Sequence, residues 1–272
     1  MATPPITMSR GVALDAGVVM ALLARDLRRF LRQRSRIVGS LAQPLILWMV
    51  LGTGLGSSFR VPGIDEVRYL GYFFPGVLVL TVLFTAIFST ISVIEDRHHG
   101  FLQAVLVSPA SRGALVLGKT AGGVSVAMLQ AALLCALSPL AGFPIGSVSW
   151  PLLACMLILA AVGFTALGFA VAWWIDSTQG YHALMSVALI PLWVLSGAMF
   201  PASPDGGGWM SVLMRFDPMT YVVTGVRRAL HGGVLHPALN PVATTTAAEL
   251  AIVGLFSAAS VVLAIALCRR RA

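Results

Sequence analysis

Charge is scarce in this sequence. Of its 272 residues only 10% are Asp, Glu, Lys or Arg, against about a quarter in soluble domains. Apolar residues make up 58%, and the mean hydropathy is +0.90. Such a chain is an integral membrane protein, with room for roughly six spanning helices of about 20 residues each. No polar segment is long enough to fold as a separate soluble domain. Cysteine is also scarce. Cys135, Cys155 and Cys268 lie inside or at the edge of apolar runs, without C-x-x-C spacing or a nearby His. Buried free thiols are expected, not disulfides or metal ligands. A cleavable signal peptide is not expected, because the apolar stretch 18–24 is short and dense positive charge follows it. The middles of the apolar runs hold no Asp, Glu, Lys or Arg. Proton-coupled carriers usually keep an ionisable group at that depth, so an ion-driven mechanism is disfavoured.

The charge that is present sits in blocks. A net charge of +8 might suggest nucleic acid, but in a membrane protein basic residues mark the cytoplasmic face. Residues 1–13 are a polar lead. Residues 14–36 are predicted to form an amphipathic helix lying in the membrane interface: Leu14, Val18, Leu22, Leu23, Leu27, Phe30 and Leu31 are apolar, while Arg25, Arg28, Arg29, Arg32, Arg34 and Arg36 are basic. Spans are predicted at about 37–56, 73–94, 117–141, 150–175, 181–200 and 249–267, with a basic tail at 269–272. The chain thus divides into a cytoplasmic lead and interfacial helix at 1–36, a transmembrane domain at 37–268 and the tail. Pro44 is expected to kink the first span. Lys119 is expected to snorkel from the third span. Thr246 and Glu249 form a capping-box pattern opening the sixth. The stretch 201–245 is predicted to hold two short helices on, or dipping into, the outer leaflet. With both termini inside, thirteen of the 18 Lys and Arg residues are cytoplasmic. Arg60, Arg68, Arg215, Arg227 and Arg228 are outside. The positive-inside rule is met.

The segment from Glu95 to Thr120 is polar and lies between two spans, so it is placed in water on the cytoplasmic side. Phe101, Leu102, Val105 and Leu106 share one face at helical spacing, while Gln103 and Ala104 lie elsewhere. This predicts a short surface helix started at Gly100 and stopped by Ser108-Pro109, which would then cap the next helix. Residues 113–120 match the P-loop pattern G-x-x-x-x-G-K-[ST], but an apolar helix entering a membrane cannot curl around phosphate. ATP hydrolysis by this chain is therefore not expected. His98 and His99 point about 100° apart on a helix and cannot easily share a metal ion. Contact with water or a partner is expected for them. Gly118-x-x-x-Gly122 and Gly52, Gly54 and Gly56 permit close helix approach. Thr81, Thr85, Ser89, Thr90 and Ser92 make the second span rich in hydroxyls, which serve helix packing or line a path.

Over essentially its whole length the chain resembles the type-2 permease family of ATP-binding-cassette (ABC) exporters. The residues that carry the resemblance are the Arg-rich opening helix, Pro44, Phe74-Pro75-Gly76, and Gly100-Phe101-Leu102 through Ser108-Pro109, Ser111-Arg112 and Gly118-Lys119. Ser196-Gly197, Phe200-Pro201, Trp209, Asp217-Pro218, Tyr221 and Arg227 complete the ordered set. The look is nearest to the daunorubicin-resistance and nodulation-oligosaccharide exporter branch. Unlike many members, the surface helix carries no acidic residue at Gln103 or Ala104.

The resemblance implies a homodimer of permeases paired with two separate ABC ATPase subunits that carry ATP and magnesium, in a bacterial inner membrane. This chain itself would bind no cofactor, metal or nucleic acid. Arg97, His98, His99, Gly100, Phe101, Leu102, Gln103, Val105, Leu106, Pro109 and Arg112 would couple to the ATPase, supported by Arg25, Arg28, Arg29 and Arg32. Thr85, Ser89, Ser92, Ser186 and Ser196 are candidates for the translocation path. The expected cargo is an amphipathic or hydrophobic compound such as a drug, antibiotic or lipid-like molecule. A polysaccharide or lipo-oligosaccharide exporter is the alternative within the family, and a non-transporting membrane scaffold the alternative outside it.

Overall fold

The structure, a computed structural model, describes residues 8–56, 68–107, 109–201 and 209–270. Expectations resting on residues 1–7, Arg60, Asp65, Glu66, Ser108, Arg271 or the stretch 202–208 lie outside these. The described residues form an all-α protein with no strand. The helices are α1 (Met8–Arg32), α2 (Arg34–Gly54), α3 (Tyr69–Ser89), α4 (Ile91–His98), α5 (Phe101–Leu106), α6 (Arg112–Cys135), α7 (Trp150–Ala172), α8 (Thr178–Trp193), α9 (Trp209–Phe216), α10 (Pro218–Leu230) and α11 (Thr246–Arg270). Six segments are long and apolar enough to cross a bilayer: Ile37–Gly54, Tyr69–His98, Arg112–Cys135, Trp150–Ala172, Thr178–Ala198 and Thr246–Arg270. The protein is a multi-pass membrane protein.

Helix α3 is the centre of the fold. Most of its side chains are buried, and it packs on α2, α6 and α7. Aromatic residues hold it there. Trp193 Nε1 donates to the Gly76 carbonyl at 2.8 Å. The Tyr181 hydroxyl donates to the Ile87 carbonyl at 3.1 Å and lies 2.7 Å from Thr90 Oγ1, fixing α8 beside the end of α3. Each bond satisfies a polar group that lipid could not. The outer faces of α2, α8 and α11 carry exposed apolar side chains such as Ile46, Val187 and Leu255. Such faces suit lipid or another apolar surface.

Several boundaries differ from those expected. The second span begins at Tyr69 and continues through α4 to His98, so Glu95, Asp96 and Arg97 belong to its helical extension. The third starts at Arg112 and ends at Cys135. Its cap is Ser111, whose hydroxyl accepts from the Ala114 amide at 3.1 Å. Pro109 therefore does not begin a helix. Helix α2 runs through Pro44 without a break. Thr245, not Thr246, receives an amide at the start of α11, from Ala248 at 3.3 Å. The Glu249 carboxylate is engaged elsewhere, as described below. Cys135 and Cys268 are buried, but Cys155 is exposed on the apolar surface of α7.

Helix α10 is enclosed by the chain itself. It is buried almost throughout, including Arg227 and Arg228, whereas α9 exposes Trp209, Leu213 and Phe216. Arg228 is neutralised by Glu249, with Nη2 to Oε1 at 2.7 Å and Nε to Oε2 at 3.1 Å. This bidentate pair clamps α10 to α11.

Candidate functional site

The site is built at the end of α3–α4 where α1, α5 and α6 meet. Gly118 and Gly122 determine how closely α1 crosses α6. A Cβ on Gly118 would lie 2.8 Å from Leu22 Cδ1, and one on Gly122 would lie 3.1 Å from Asp26 Cβ. The small-residue pair thus serves a contact within the chain. It brings Asp26 of α1 against Lys119 of α6. Lys119 does not snorkel: its side chain is 2% exposed. Its Nζ lies 2.6 Å from Asp96 Oδ2, 3.2 Å from Asp26 Oδ2 and 3.1 Å from Ser92 Oγ. Arg25 also pairs with Asp96, and Arg29 Nη2 lies 2.7 Å from Glu95 Oε2. Three cations and three carboxylates close the cluster in charge, as buried ions require.

The cluster reaches α5 through one contact. The Arg25 guanidinium lies over the Phe101 ring, 3.9 Å from its centroid. Leu102 is buried, and Phe101 and Val105 pack partly buried against the core. The apolar face of α5 therefore points into this chain. Its outward face is Gln103 and Ala104, followed by Val107, which is 85% exposed. Gly100 opens the helix in the left-handed region, with φ 73°, where glycine carries no steric penalty. Pro109 is exposed.

Other residues expected to face a partner are used internally. Arg97 donates to the Trp173 carbonyl at 2.8 Å and the Ala172 carbonyl at 3.3 Å, and pairs with Asp176 at 2.5 Å. It caps the C-terminus of α7, where a cation is favoured. His98 Nε2 donates to the Asp176 carbonyl at 2.7 Å, and His99 Nδ1 to that of Glu95 at 2.7 Å. Arg112 is the first residue of α6, and its Nη1 is buried without a hydrogen bond among the described residues. The side chain of Leu106 lies outside the described set. Of the basic residues of α1, Arg25 and Arg29 turn into the cluster while Arg28 and Arg32 are exposed. At the other part of α1, the Ser111 amide donates to Asp15 Oδ1 at 2.8 Å. Bonds from the Ser111 side chain and amide hold the Asp15 carboxyl below its usual range.

Beside the cluster a cavity of about 500 Å³ opens between α1, α2, α3, α6 and α8. That volume is in the range of drug-sized ligand sites. Phe30, Leu80, Phe84, Phe88 and Val126 supply apolar wall. Thr85, Ser89 and Ser92 line it; Ser186 and Ser196 do not. Ser196 is fully buried and donates to the Trp193 carbonyl at 2.6 Å. A polar group absent from the expected set sits on the wall. Gln130 is 0% exposed, accepts from Thr85 Oγ1 and donates through Nε2 to Ser40 Oγ at 2.5 Å. The signal for it was available: a lone amide in a third span is costly in lipid unless it faces a partner or a cavity. Asp26 and Glu95 lie on the rim of the same cavity, so the charge cluster and the cavity share walls.

Residues 17–231 match the family described as ABC-2 type transporter. The chain belongs to this family. Among similar proteins are the putative transport permease ycf38 of Cyanophora paradoxa, 25% identical over 77% of this chain and 72% of the relative, and nodulation protein J of Rhizobium meliloti, 26% identical over 73% and 75%. The inner membrane transport permease YadH of Escherichia coli is 24% identical over 78% and 82%. The ABC-2 match spans α1 through the end of α10, and so includes the charge cluster, α5, the cavity and the buried α10. This chain is a transport permease of that family.

Proposed function

We propose that this chain is the membrane subunit of an ATP-driven exporter in a bacterial inner membrane, with both termini cytoplasmic. Two copies work with two separate ABC ATPase subunits, which hold ATP and magnesium. The outward edge of α5 at Gln103, Ala104 and Val107 is the docking surface. The cargo is an amphipathic or hydrophobic compound, and the cavity beside α3 is this chain's part of its path. The observation that carries the proposal is the continuous linkage from α5 to the cavity. Phe101 stacks on Arg25, Arg25 pairs with Asp96, and Asp96 pairs with Lys119, which touches Asp26 and Ser92 on the cavity wall. A displacement of α5 therefore meets no slack before it reaches the cavity. ATP binding shifts the two-state balance only through its differential affinity for the two arrangements. A wall that combines Phe30, Leu80, Phe84, Phe88, Ile91 and Val126 with hydroxyls, the amides of Gln43 and Gln130 and a charged rim favours an amphiphile over a long sugar polymer. The test is reconstitution with the ABC ATPase in sealed vesicles. Val107→Asp, at an exposed position, is expected to lower ATP-dependent export of an amphiphilic dye by tenfold or more without changing the thermal stability of the permease. Undiminished export would sink the assignment of α5 as the docking edge.

A further inference from the structure

A second, smaller cavity lies at the opposite end of α3 from the charge cluster. It has a volume of about 230 Å³ and is lined by Arg68, Tyr72, Arg227 and His231, with apolar contributions from Phe143 and Leu239. No Asp or Glu among the described residues lines it. Arg227 is 1% exposed and the largest fully buried side chain. Its Nη1 donates to the Leu239 carbonyl and its Nη2 to the Gly197 carbonyl, each at 3.1 Å. The guanidinium lies 4.4 Å from the centroid of the Tyr72 ring. The Gly197 carbonyl is shared, because the Tyr72 hydroxyl donates to it at 2.9 Å. Gly197 stands at φ 78°, where a side chain would be strained.

These partners are all neutral. Arg227 forms no ion pair among the described residues, and its Nε is buried with no hydrogen bond. A buried guanidinium without a counter-ion is costly. The next residue shows the usual remedy, since Arg228 is matched by Glu249. Among the described residues, the charge balance around Arg227 is left open on the side of the cavity. Arg68 adds a second cation at the mouth, at the N-cap of α3, where the helix dipole is positive. Burial holds the His231 imidazole below its usual value; the bond from its Nδ1 to the Arg227 carbonyl opposes this and the charge of Arg227 adds to it.

We propose that this cavity is a binding site for an anionic phosphate group, held between Arg68 at the mouth and Arg227 at the base. The group is supplied either as a lipid headgroup or as free phosphate. Its charge completes the neutralisation of Arg227, and its oxygens accept from two guanidinia, the geometry in which arginine binds phosphate best.

The test uses the purified full chain in two arms. In detergent, inorganic phosphate is titrated and the unfolding temperature is read from tryptophan fluorescence. In lipid discs of phosphatidylcholine with or without phosphatidylglycerol, bound phosphatidylglycerol is counted by native mass spectrometry after delipidation. Wild type is expected to bind in at least one arm. Arg68→Gln, which alters an exposed side chain, is expected to fold with unchanged stability and bind at least tenfold more weakly, while Arg215→Gln, an exposed change outside the cavity, binds as wild type. Stabilisation by phosphate identifies a free-anion site. Retention of phosphatidylglycerol without a phosphate effect identifies a lipid site. If Arg68→Gln binds both probes as wild type does, or Arg215→Gln weakens them equally, the site is overturned, whatever becomes of Arg227→Gln.

Discussion

Lys119 carries more consequence than any other single side chain. It neutralises Asp26 and Asp96 in a setting where few waters reach them. Removing one member of a buried ion set costs about 3–5 kcal/mol, chiefly by leaving the others uncompensated. Lys119→Met is expected to lower the thermal stability of the detergent-solubilised chain accordingly, and a further Asp96→Asn is expected to restore part of it. Equal melting of Lys119→Met and wild type would remove the cluster from the account. Asp217 is a separate residue-scale feature. Its Oδ1 caps α10 by accepting from the Met219 amide at 2.8 Å, and its Oδ2 is buried without a partner among the described residues. Burial raises its pKa from 3.8 to about 7, against the lowering effect of the Met219 bond. The folded chain therefore holds a proton between pH 4 and 7 that the unfolded chain has released, so this residue's contribution to stability falls as pH rises through that window. Unfolding temperatures of wild type should decline from pH 5 to pH 8 relative to Asp217→Asn, which keeps the cap without the titration. Parallel curves would contradict this. Little of this was legible in the sequence. Lys119 sits at a span end, where snorkelling is the ordinary expectation, and its two carboxylates lie 93 and 23 positions away. Only the packing of α1 on α6 brings them together.

At the scale of elements, hydropathy made the six spans legible, because lipid demands long apolar helices. The surface helix α5 was legible for the same reason in reverse, as a short amphipathic stretch between two spans. Its orientation was not: a single stripe of Phe101, Leu102 and Val105 does not say whether it meets a partner or its own chain, and here it meets its own. The enclosure of α10 was not legible, because two adjacent arginines give no sign of a buried helix. Each is buried by a specific arrangement, Arg228 by Glu249 and Arg227 by two carbonyls and a ring. Gly118 and Gly122 were legible as a close approach, but not as an approach of α1. Gly118→Val is expected to push α1 from α6, since Leu22 and the Val19 backbone stand in the way. Overpacking of this kind costs about 1–3 kcal/mol. Gly254→Val on α11, with nothing within 4 Å of the added Cβ, serves as the control with little loss. Melting both variants in one detergent decides the matter, and equal losses would show that the crossing is not tight.

For the whole molecule, charge gathers beyond both ends of α3. The cluster of Lys119 and the surface helix α5 lie at one end, and the Arg227 cavity lies at the other. In a cysteine-free background, Gln103→Cys and Val234→Cys, both at exposed positions, are expected to react with a membrane-impermeant maleimide from opposite faces of a sealed vesicle, the first from the cytoplasmic face. Labelling of both from one face would overturn the topology. The expected sidedness rests on the concentration of basic residues in the segments placed inside. The position of α3 at the centre was not legible, since a buried span and a lipid-facing span are equally apolar.

The crossing of α1 over α6 also bears on how the protein is made. Leu22 and Gly118 are about a hundred residues apart, and ribosomes add roughly 5–20 residues each second. For about 5–20 s the newborn N-terminal helix has no docking surface, and its arginines have only lipid headgroups to meet. Nascent chains stalled before Arg112 emerges should leave residues 8–32 open to protease, and chains stalled beyond Cys135 should protect them; protection at the shorter length would mean that the first helix finds its seat elsewhere.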